Sequence, residues 1–370
     1  PERYSQWLDS HRPFHWFVEF YGIMSNGGFD VIIGNPPYVA TKKVSYLDRG
    51  GQRRFPDIYA HVTSASLKLC GESSNFGMIV PLSLTFSSDY SELRSQIESY
   101  GEAWFSSFDN IPAALFSGVS QRCTVWISST RRGPKWLGRM YRWRSEGRSQ
   151  LFDQISYVSY SDTVSIALSI DKLIGVESVD MMQLLRSPST RKLRQTVLLS
   201  GTRLNKISFS QAARNFVSVF LEAPPCFDAG SLRPVKPSKI GSVGLSSPEL
   251  LKPALAVLCG ESYFWYWLVK GDGFDVTNWV VTGYLNQLDY VPDDAMEMLN
   301  SIGGIVHELR NEALVFKKNA GKFVGNFNYR PLVRLTRRAD LLFFSAMGIP
   351  VQAVTGVFDQ VQRTLAINES

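Results

Sequence analysis

The apolar and polar positions of this chain switch repeatedly between a period of two and a period of three to four. Phe29-Asp30-Val31-Ile32-Ile33-Gly34 is a β-branched run that follows the turn formers Asn26-Gly27-Gly28 and stops at Asn35-Pro36-Pro37. That pattern predicts a short buried strand closed by a rigid breaker. Residues 39–56 are polar and basic, with Gly50-Gly51, and read as a loop. Helical spacing predicts helices over 58–69 and 89–100, the latter with Leu93 and Ile97 on one face. Strands are predicted at 75–81, 104–108 and 122–128. Alternation of strands and helices over 29–130 predicts an α/β layer with a largely parallel sheet, short for a complete doubly wound domain. Further on, 247–269 reads as helical and ends in Tyr263-Phe264-Trp265-Tyr266-Trp267, followed by the turn Gly271-Asp272-Gly273. Residues 295–316 and 334–346 also carry helical periodicity, and no internal repeat is evident.

Composition narrows the class. With 44% hydrophobic and 19% charged residues, the chain is globular in type and far from the signature of disorder. At 370 residues it can bury roughly three quarters of its unfolded surface and is expected to divide into two or three domains. No apolar run reaches the ~18 residues a membrane span needs. The start, Pro1-Glu2-Arg3-Tyr4, has neither an initiator Met nor the apolar core of a signal peptide. The expectation is a cytoplasmic protein whose first residues are absent from this sequence. Cys70, Cys123, Cys226 and Cys259 stand far apart with no CxxC pair, so neither a zinc ribbon nor a disulfide framework is indicated. The four histidines are equally scattered, and no metal is expected.

The net charge of +6 has an address. Residues 131–150 hold seven Lys/Arg against Glu146 alone, with Trp136, Tyr141 and Trp143 among them. A second block, 186–240, holds ten Lys/Arg against Glu222 and Asp228 and is masked in the total by acidic neighbours. Basic residues interleaved with aromatics are one footprint of a nucleic-acid-facing surface; a solvated Arg-rich strand is the plainer reading.

The tetrapeptide Asn35-Pro36-Pro37-Tyr38, directly behind a strand, carries the most specific chemistry. An adenine amino group is a poor nucleophile because its lone pair is delocalised into the ring. Methylating it requires holding the base out of the stack, accepting hydrogen bonds from the amino protons and leaving the lone pair facing a methyl donor. An Asn side-chain oxygen and a neighbouring carbonyl can be those acceptors. Two prolines fix the backbone and bring no competing N–H, and Tyr38 supplies a ring for stacking, worth ~1–3 kcal/mol per base. The alternative is a stiff turn at a strand end.

Residues 29–38, Phe-Asp-Val-Ile-Ile-Gly-Asn-Pro-Pro-Tyr, resemble the catalytic motif of the adenine-N6 DNA methyltransferases, in particular the type IIG restriction-modification and phage-defence kind. Asp57-Ile58-Tyr59-Ala60 and Gly77-Met78-Ile79-Val80-Pro81 resemble the next helix and strand of that family. Leu115-Phe116-Ser117-Gly118-Val119 resembles a later motif whose aromatic residue stacks on the flipped base, which would make Phe116 a second clamp; core packing is the alternative. Tyr263–Trp267 with Gly271-Asp272-Gly273, and Gly325-Asn326-Phe327-Asn328-Tyr329 with Asp340-Leu341-Leu342, resemble segments of the target-recognition domains. The resemblance implies an α/β fold: a partial Rossmann-like methyltransferase sheet, then a mixed α+β recognition domain with a helical C-terminal part. Expected boundaries are 1–150 for the second half of the catalytic domain, 151–185 for a connector, 186–300 for target recognition and 301–370 for its helical end.

One departure limits what this chain does alone. In that family the Gly-rich loop for S-adenosylmethionine precedes the tetrapeptide, whereas only 34 residues precede Asn35 here, with no strand followed by Gly-x-Gly. Gly271-Asp272-Gly273 follows a helical pattern and is no substitute. The chain thus resembles the second half of a methyltransferase. Its expected partners are double-stranded DNA and the missing N-terminal half, and by itself it is expected to be inactive and to bind no S-adenosylmethionine tightly. A half sheet would expose an edge and an apolar face. Expected DNA contacts are Lys42, Lys43, Arg53, Arg54, Arg139, Arg142, Arg144, Arg191, Lys192, Arg194, Arg203 and Lys206. A protein-glutamine or RNA methyltransferase and a non-catalytic DNA-specificity module are the competing readings. A nuclease centre is not visible, since Asp57 lacks a Glu-x-Lys partner.

Overall fold

A computed structural model describes residues 2–11, 14–44, 54–116, 118, 120–160, 165–173, 175–186, 191–198, 205–237 and 239–369, with the side chains of 2, 11, 175–177 and 367–369 left aside. In chain order the elements are α1 (Glu2–His11), α2 (Trp16–Glu19), α3 (Tyr21–Ser25), β1 (Phe29–Gly34), α4 (Ile58–Leu67), β2 (Cys70–Pro81), α5 (Ser91–Tyr100), β3 (Glu102–Phe108), β4 (Cys123–Ser129), β5 (Lys135–Tyr141) and β6 (Val158–Tyr160). They continue as α6 (Gly175–Arg186), β7 (Lys206–Ser210), β8 (Val219–Phe220), β9 (Cys226–Asp228), β10 (Ile240–Gly244), α7 (Leu251–Leu258), α8 (Glu261–Lys270), α9 (Asn278–Leu285), α10 (Asp293–Glu308), β11 (Leu314–Asn319), β12 (Lys322–Phe327), α11 (Val333–Ala346) and α12 (Val351–Glu369). Among the described residues no helix is long and apolar enough to cross a membrane.

The chain divides into two compact units, one made of 1–105, 123–136 and 159–169 and the other of 106–122, 137–158 and 170–370. Residues 106–122 and 137–150, assigned by the sequence pattern to the first domain, group with the second unit.

β1 to β6 form one six-stranded sheet in the order β1-β2-β4-β3-β5-β6. β1 and β2 are parallel, joined by the crossover helix α4, while β2 and β4 are antiparallel. The sheet is therefore mixed, which corrects the expectation of a largely parallel one. Gly28 immediately precedes β1 with φ +106° behind it at Gly27 and +114° of its own, and a side chain at 28 would meet the Leu69 carbonyl oxygen at 2.6 Å, so the turn into β1 accepts only glycine.

At β1, β2 and β4 one face of this sheet is covered and the other exposes apolar side chains, whereas β3 is buried on both faces. Phe76, Met78 and Val80 of β2 and Trp126 of β4 are buried, and Phe76 meets the ring of Tyr100 on α5 at 6.2 Å. Leu93 and Ile97 of α5 are fully buried, each contributing about 1.5–3 kcal/mol. On the opposite face Ile33, Gly77 and Ile127 lie side by side in register. There Ile33 is 80% exposed, Val31 57% and Ile127 48%. β1, read from its β-branched run as a buried strand, is thus an edge strand with an uncovered face. Aromatic residues of the segment before β1 are also exposed, among them Phe14, Trp16, Phe17 and Tyr21.

The second unit packs α6 to α12 around an aromatic core in which Tyr263, Trp267, Tyr284, Phe343 and Phe344 are fully buried. Two three-stranded sheets flank it, β10-β7-β8 and β11-β12-β9. The predicted helix over 295–316 ends at Glu308, and 314–319 is a strand antiparallel to β12. Val315 and Phe316 suit either structure, and only the strand partner decides between them. The helix expected over 247–269 is two helices, α7 and α8, parted at Cys259-Gly260.

Asp340 explains that break. Its carboxylate lies at the first turn of α8, accepting the Ser262 N–H at 3.2 Å and the Ser262 hydroxyl, and a side chain at Gly260 would collide with it. It caps the helix from across the core. Burial pushes the Asp340 carboxyl up to about 7, against the Ser262 donors. The folded pKa exceeds the unfolded value of about 3.9, so the folded state holds an extra proton between those limits. The resulting stability is full below about pH 4 and is lost as pH rises through 7. Asp340→Asn keeps an acceptor and removes the titration, so melting temperatures from pH 5 to 8 are expected to vary less in the variant. Equal slopes would refute this.

Candidate functional site

Asn35 stands where β1 gives way to the two prolines. It is exposed, and its side-chain amide makes no hydrogen bond among the described residues. Pro36 is buried and Pro37 exposed, so one ring anchors the turn while Asn35 faces solvent. Tyr38 is half-buried. Its hydroxyl donates to the Ile79 carbonyl of β2 at 2.9 Å and lies 4.0 Å from the Cys123 Sγ of β4. Its ring meets Tyr59 edge-on, centroids 6.5 Å apart at 81°. Burial, and secondarily Cys123, raises the Tyr38 pKa far above the usual phenol range, so it remains a neutral donor.

A second layer of tyrosines holds this corner. Tyr59 on α4 is fully buried, packs on Tyr90 at 5.1 Å and places its hydroxyl 3.2 Å from the Ser83 Oγ. Tyr90 donates to the Asp57 carboxylate. Asp57 occupies the N-cap position of α4 yet makes no cap hydrogen bond, because its carboxylate faces Tyr90. The chain after Tyr38 is stapled to the start of α4: Ile58 N–H donates to the Val39 carbonyl and Thr41 N–H to the Pro56 carbonyl, both at 2.8 Å. Behind β2, the buried Arg94 guanidinium donates to the carbonyls of Leu84, Ser87, Ala167 and Leu168 at 2.7–2.9 Å, with no carboxylate partner among the described residues. It ties down the segment that delivers Tyr90.

Phe116 is half-buried in the loop 109–122 and belongs to the second unit, whereas Asn35 to Tyr38 belong to the first. Residues 117 and 119 of its motif lie outside the described residues. Asp109 closes the loop: its carboxylate accepts from Arg122 Nε at 2.8 Å and Arg142 Nε at 2.7 Å, and its N–H donates to the Tyr141 carbonyl.

The basic residues divide by environment. Lys42, Lys43, Arg144, Arg191 and Lys206 are exposed and have no ion-pair partner among the described residues. Arg54 pairs with Glu92, and Lys192 with Asp289 at 3.0 Å. Arg139 lies over the Tyr141 ring at 5.0 Å. The Arg142 side chain is only 3% exposed, on Asp109. Arg194 pairs with Asp293 and donates to the Leu288 and Val291 carbonyls. Arg53 and Arg203 lie outside the described residues. Part of the charge surplus in 131–150 and 186–240 is therefore spent inside the fold. Asp109, Tyr59, Tyr90 and Arg94 were not legible as site residues; the one available signal was a charged Arg94 between Leu93 and Ile97 on the apolar face of a helix.

Residues 3–102 match a family model described as Eco57I restriction-modification methylase. This bears out the resemblance read around Asn35–Tyr38 and takes in β1, α4, β2 and α5. A 111-residue segment is 33% identical to a protein of Methanocaldococcus jannaschii provisionally named a type II restriction enzyme and methyltransferase. That segment is 29% of this chain and about 9% of the relative's length. Among solved structures, the type IIL restriction-modification enzyme MmeI in complex with DNA gives a TM-score of 0.45 at 9% identity, covering 91% of this chain and 57% of that one. The ATP-dependent type ISP restriction-modification enzyme LlaBIII bound to DNA gives 0.37 at 13%, covering 92% and 38%.

Proposed function

We propose that this chain is the target-base and DNA-reading part of an adenine-N6 DNA methyltransferase of the restriction-modification kind. The observation that carries the reading is the corner at 35–38: an exposed, unpartnered Asn amide on a proline-stiffened turn, beside a tyrosine tethered at its hydroxyl and braced at its edge. Asn35 Oδ1 would accept a hydrogen bond from the amino group of an extruded adenine, and the Tyr38 ring would stack on the base. The tether fixes the ring before the base arrives, so less orientational freedom is lost when the base stacks on it.

On this reading S-adenosylmethionine is held outside this chain. Among the described residues three short helices precede β1, with no strand opening onto a Gly-rich loop. On this reading further polypeptide supplies the cofactor-binding part, and the edge of β1 with Val31 and Ile33 is the surface it would cover. The exposed cations Lys42, Lys43, Arg144, Arg191 and Lys206 are the candidates for phosphate contacts, which position DNA without choosing a sequence.

The reading is tested on the complete enzyme with Tyr38→Phe and Tyr38→Ala. Loss of stacking is worth about 1–3 kcal/mol, so Tyr38→Ala is expected to slow adenine methylation of duplex DNA by roughly 5- to 150-fold, and Tyr38→Phe, which keeps the ring, by much less. Equal activity of both variants would show that the ring only fills space. Methyl transfer offered in parallel to duplex DNA, RNA and peptide separates this reading from an RNA or protein-glutamine methyltransferase, and transfer to none of them favours a specificity module.

A further inference from the structure

At one end of the sheet β11-β12-β9 the second unit presents an apolar side chain on a backbone that works against it. Leu232 is 65% exposed and has φ +54°, in the left-handed region that glycine and asparagine enter readily and a bulky side chain does not. A single exposed leucine is ordinary on a protein surface, but one held in this conformation is not. Hydrogen bonds hold it there. Asp228 Oδ1 accepts the Gly230 N–H at 3.1 Å and both the Ser231 N–H and the Ser231 hydroxyl at 2.8 Å. The Leu232 N–H donates to the Asp228 carbonyl and the Asp228 N–H to the Arg233 carbonyl, each at 2.9 Å. The Ala229 N–H donates to the Gly321 carbonyl at 2.8 Å, which fastens the loop to the turn between β11 and β12. The Ser231 donors, with Lys322 adding to them, keep the Asp228 carboxyl below its ordinary range, so the brace stays ionised at neutral pH.

The surroundings of Leu232 are cationic. Arg233 follows it directly, and Lys236 lies in the same segment. Lys317, Lys318 and Lys322 stand on the neighbouring hairpin, Lys322 opposite Asp228 in the strand register. Arg233, Lys236 and Lys318 are exposed and have no ion-pair partner among the described residues. Asp228 is the single carboxylate of residues 226–237 and 314–327, and its Oδ1 is already engaged by the loop. Cations around one projecting apolar side chain match a duplex, whose grooves are rimmed by phosphates and whose base steps accept apolar wedges.

We propose that Leu232 is a wedge for double-stranded DNA. Its side chain enters the minor groove and partly unstacks one base step, bending the duplex, while Arg233 and Lys318 rest on phosphates beside it. The braced loop makes leucine effective in this role, because a loose tip would lose its conformational freedom on insertion. The inference takes duplex DNA as the partner from the reading above. It adds where the second unit engages the duplex and what that contact does to it.

The test uses the full chain and a short duplex labelled with a dye at each end, energy transfer reporting the bend and anisotropy the affinity. The parent chain is expected to bend the duplex by about 20–90°. Leu232→Gly suits the left-handed backbone and should melt as the parent does, bind within about threefold as phosphate contacts dominate affinity, and lose the bend. Leu232→Met keeps an apolar wedge and should bend as the parent does. The Arg233→Gln, Lys318→Gln double variant should weaken binding and lower the slope of log K against log salt by about 2. A bound duplex that Leu232→Gly bends as the parent does overturns the wedge and leaves the DNA-reading proposal standing. An unchanged salt slope in the double variant overturns the phosphate contacts. Displacement of the duplex by polyglutamate as readily as by unlabelled duplex assigns the surface to an acidic polypeptide and overturns the proposal. Failure of every chain to bind duplex at low salt overturns both.

Discussion

Asn35→Ala in the complete enzyme is expected to lower methylation of duplex DNA by at least about 10²–10³-fold, the loss found when one preorganised polar group is removed from a reacting centre. DNA affinity should stay within a few-fold, because Asn35 is one uncharged side chain and backbone phosphates dominate binding. The fold should be unaffected, since the Asn35 amide holds nothing else together and Pro36 and Tyr38 keep their own anchors. Methyl incorporation and a melting curve on the same preparation check both clauses. Retained turnover would show that Asn35-Pro36-Pro37-Tyr38 is a stiff turn and no more.

Asp109→Ala is expected to cost about 3–5 kcal/mol of stability in the second unit, the scale for leaving a buried charge unpaired. Asp109 is 3% exposed and serves two guanidinium groups, Arg122 and Arg142, one of them equally buried. Removing the carboxylate leaves both cations facing each other, and burial already lowers the Arg142 pKa. Chemical denaturation measures the loss. Arg142→Met in the Asp109→Ala background should recover part of it, because the stranded charge goes with the side chain. No recovery would mean that the carboxylate matters mainly through its own backbone contacts.

The periodic patterns gave the elements of the first unit well, because α4, α5, β2, β3 and β4 each bury one face and each face is written in the residue spacing. What they could not give is what lies against that face. Val31 and Ile33 have the residue types of a buried strand and are exposed, since a run of β-branched residues records what a strand can cover and not whether anything covers it. Strand direction was lost for a related reason: β2 pairs with β4, and nothing local to either segment fixes their mutual sense. The tetrapeptide was legible because its chemistry is compressed into four adjacent residues. The tyrosine layer behind it was not, because Tyr59, Ser83 and Tyr90 meet only through the fold. Charge misled in the same way. Arg142 and Arg194 counted toward a basic surface, yet their guanidinium groups satisfy a buried carboxylate and backbone carbonyls.

The edge strand β1 also bears on how this chain behaves in concentrated solution when nothing else covers it. A row of backbone N–H and C=O groups that pair with no strand among the described residues runs beside Val31 and Ile33 and is a template for an extended peptide, and Asp30 is the single charge along β1. Two copies can satisfy each other there by edge-to-edge pairing, a route to reversible self-association that an added lysine at position 31 or 33 would close. The six residues that lead to the tetrapeptide would thus decide how the bare chain associates as well as where Asn35 stands.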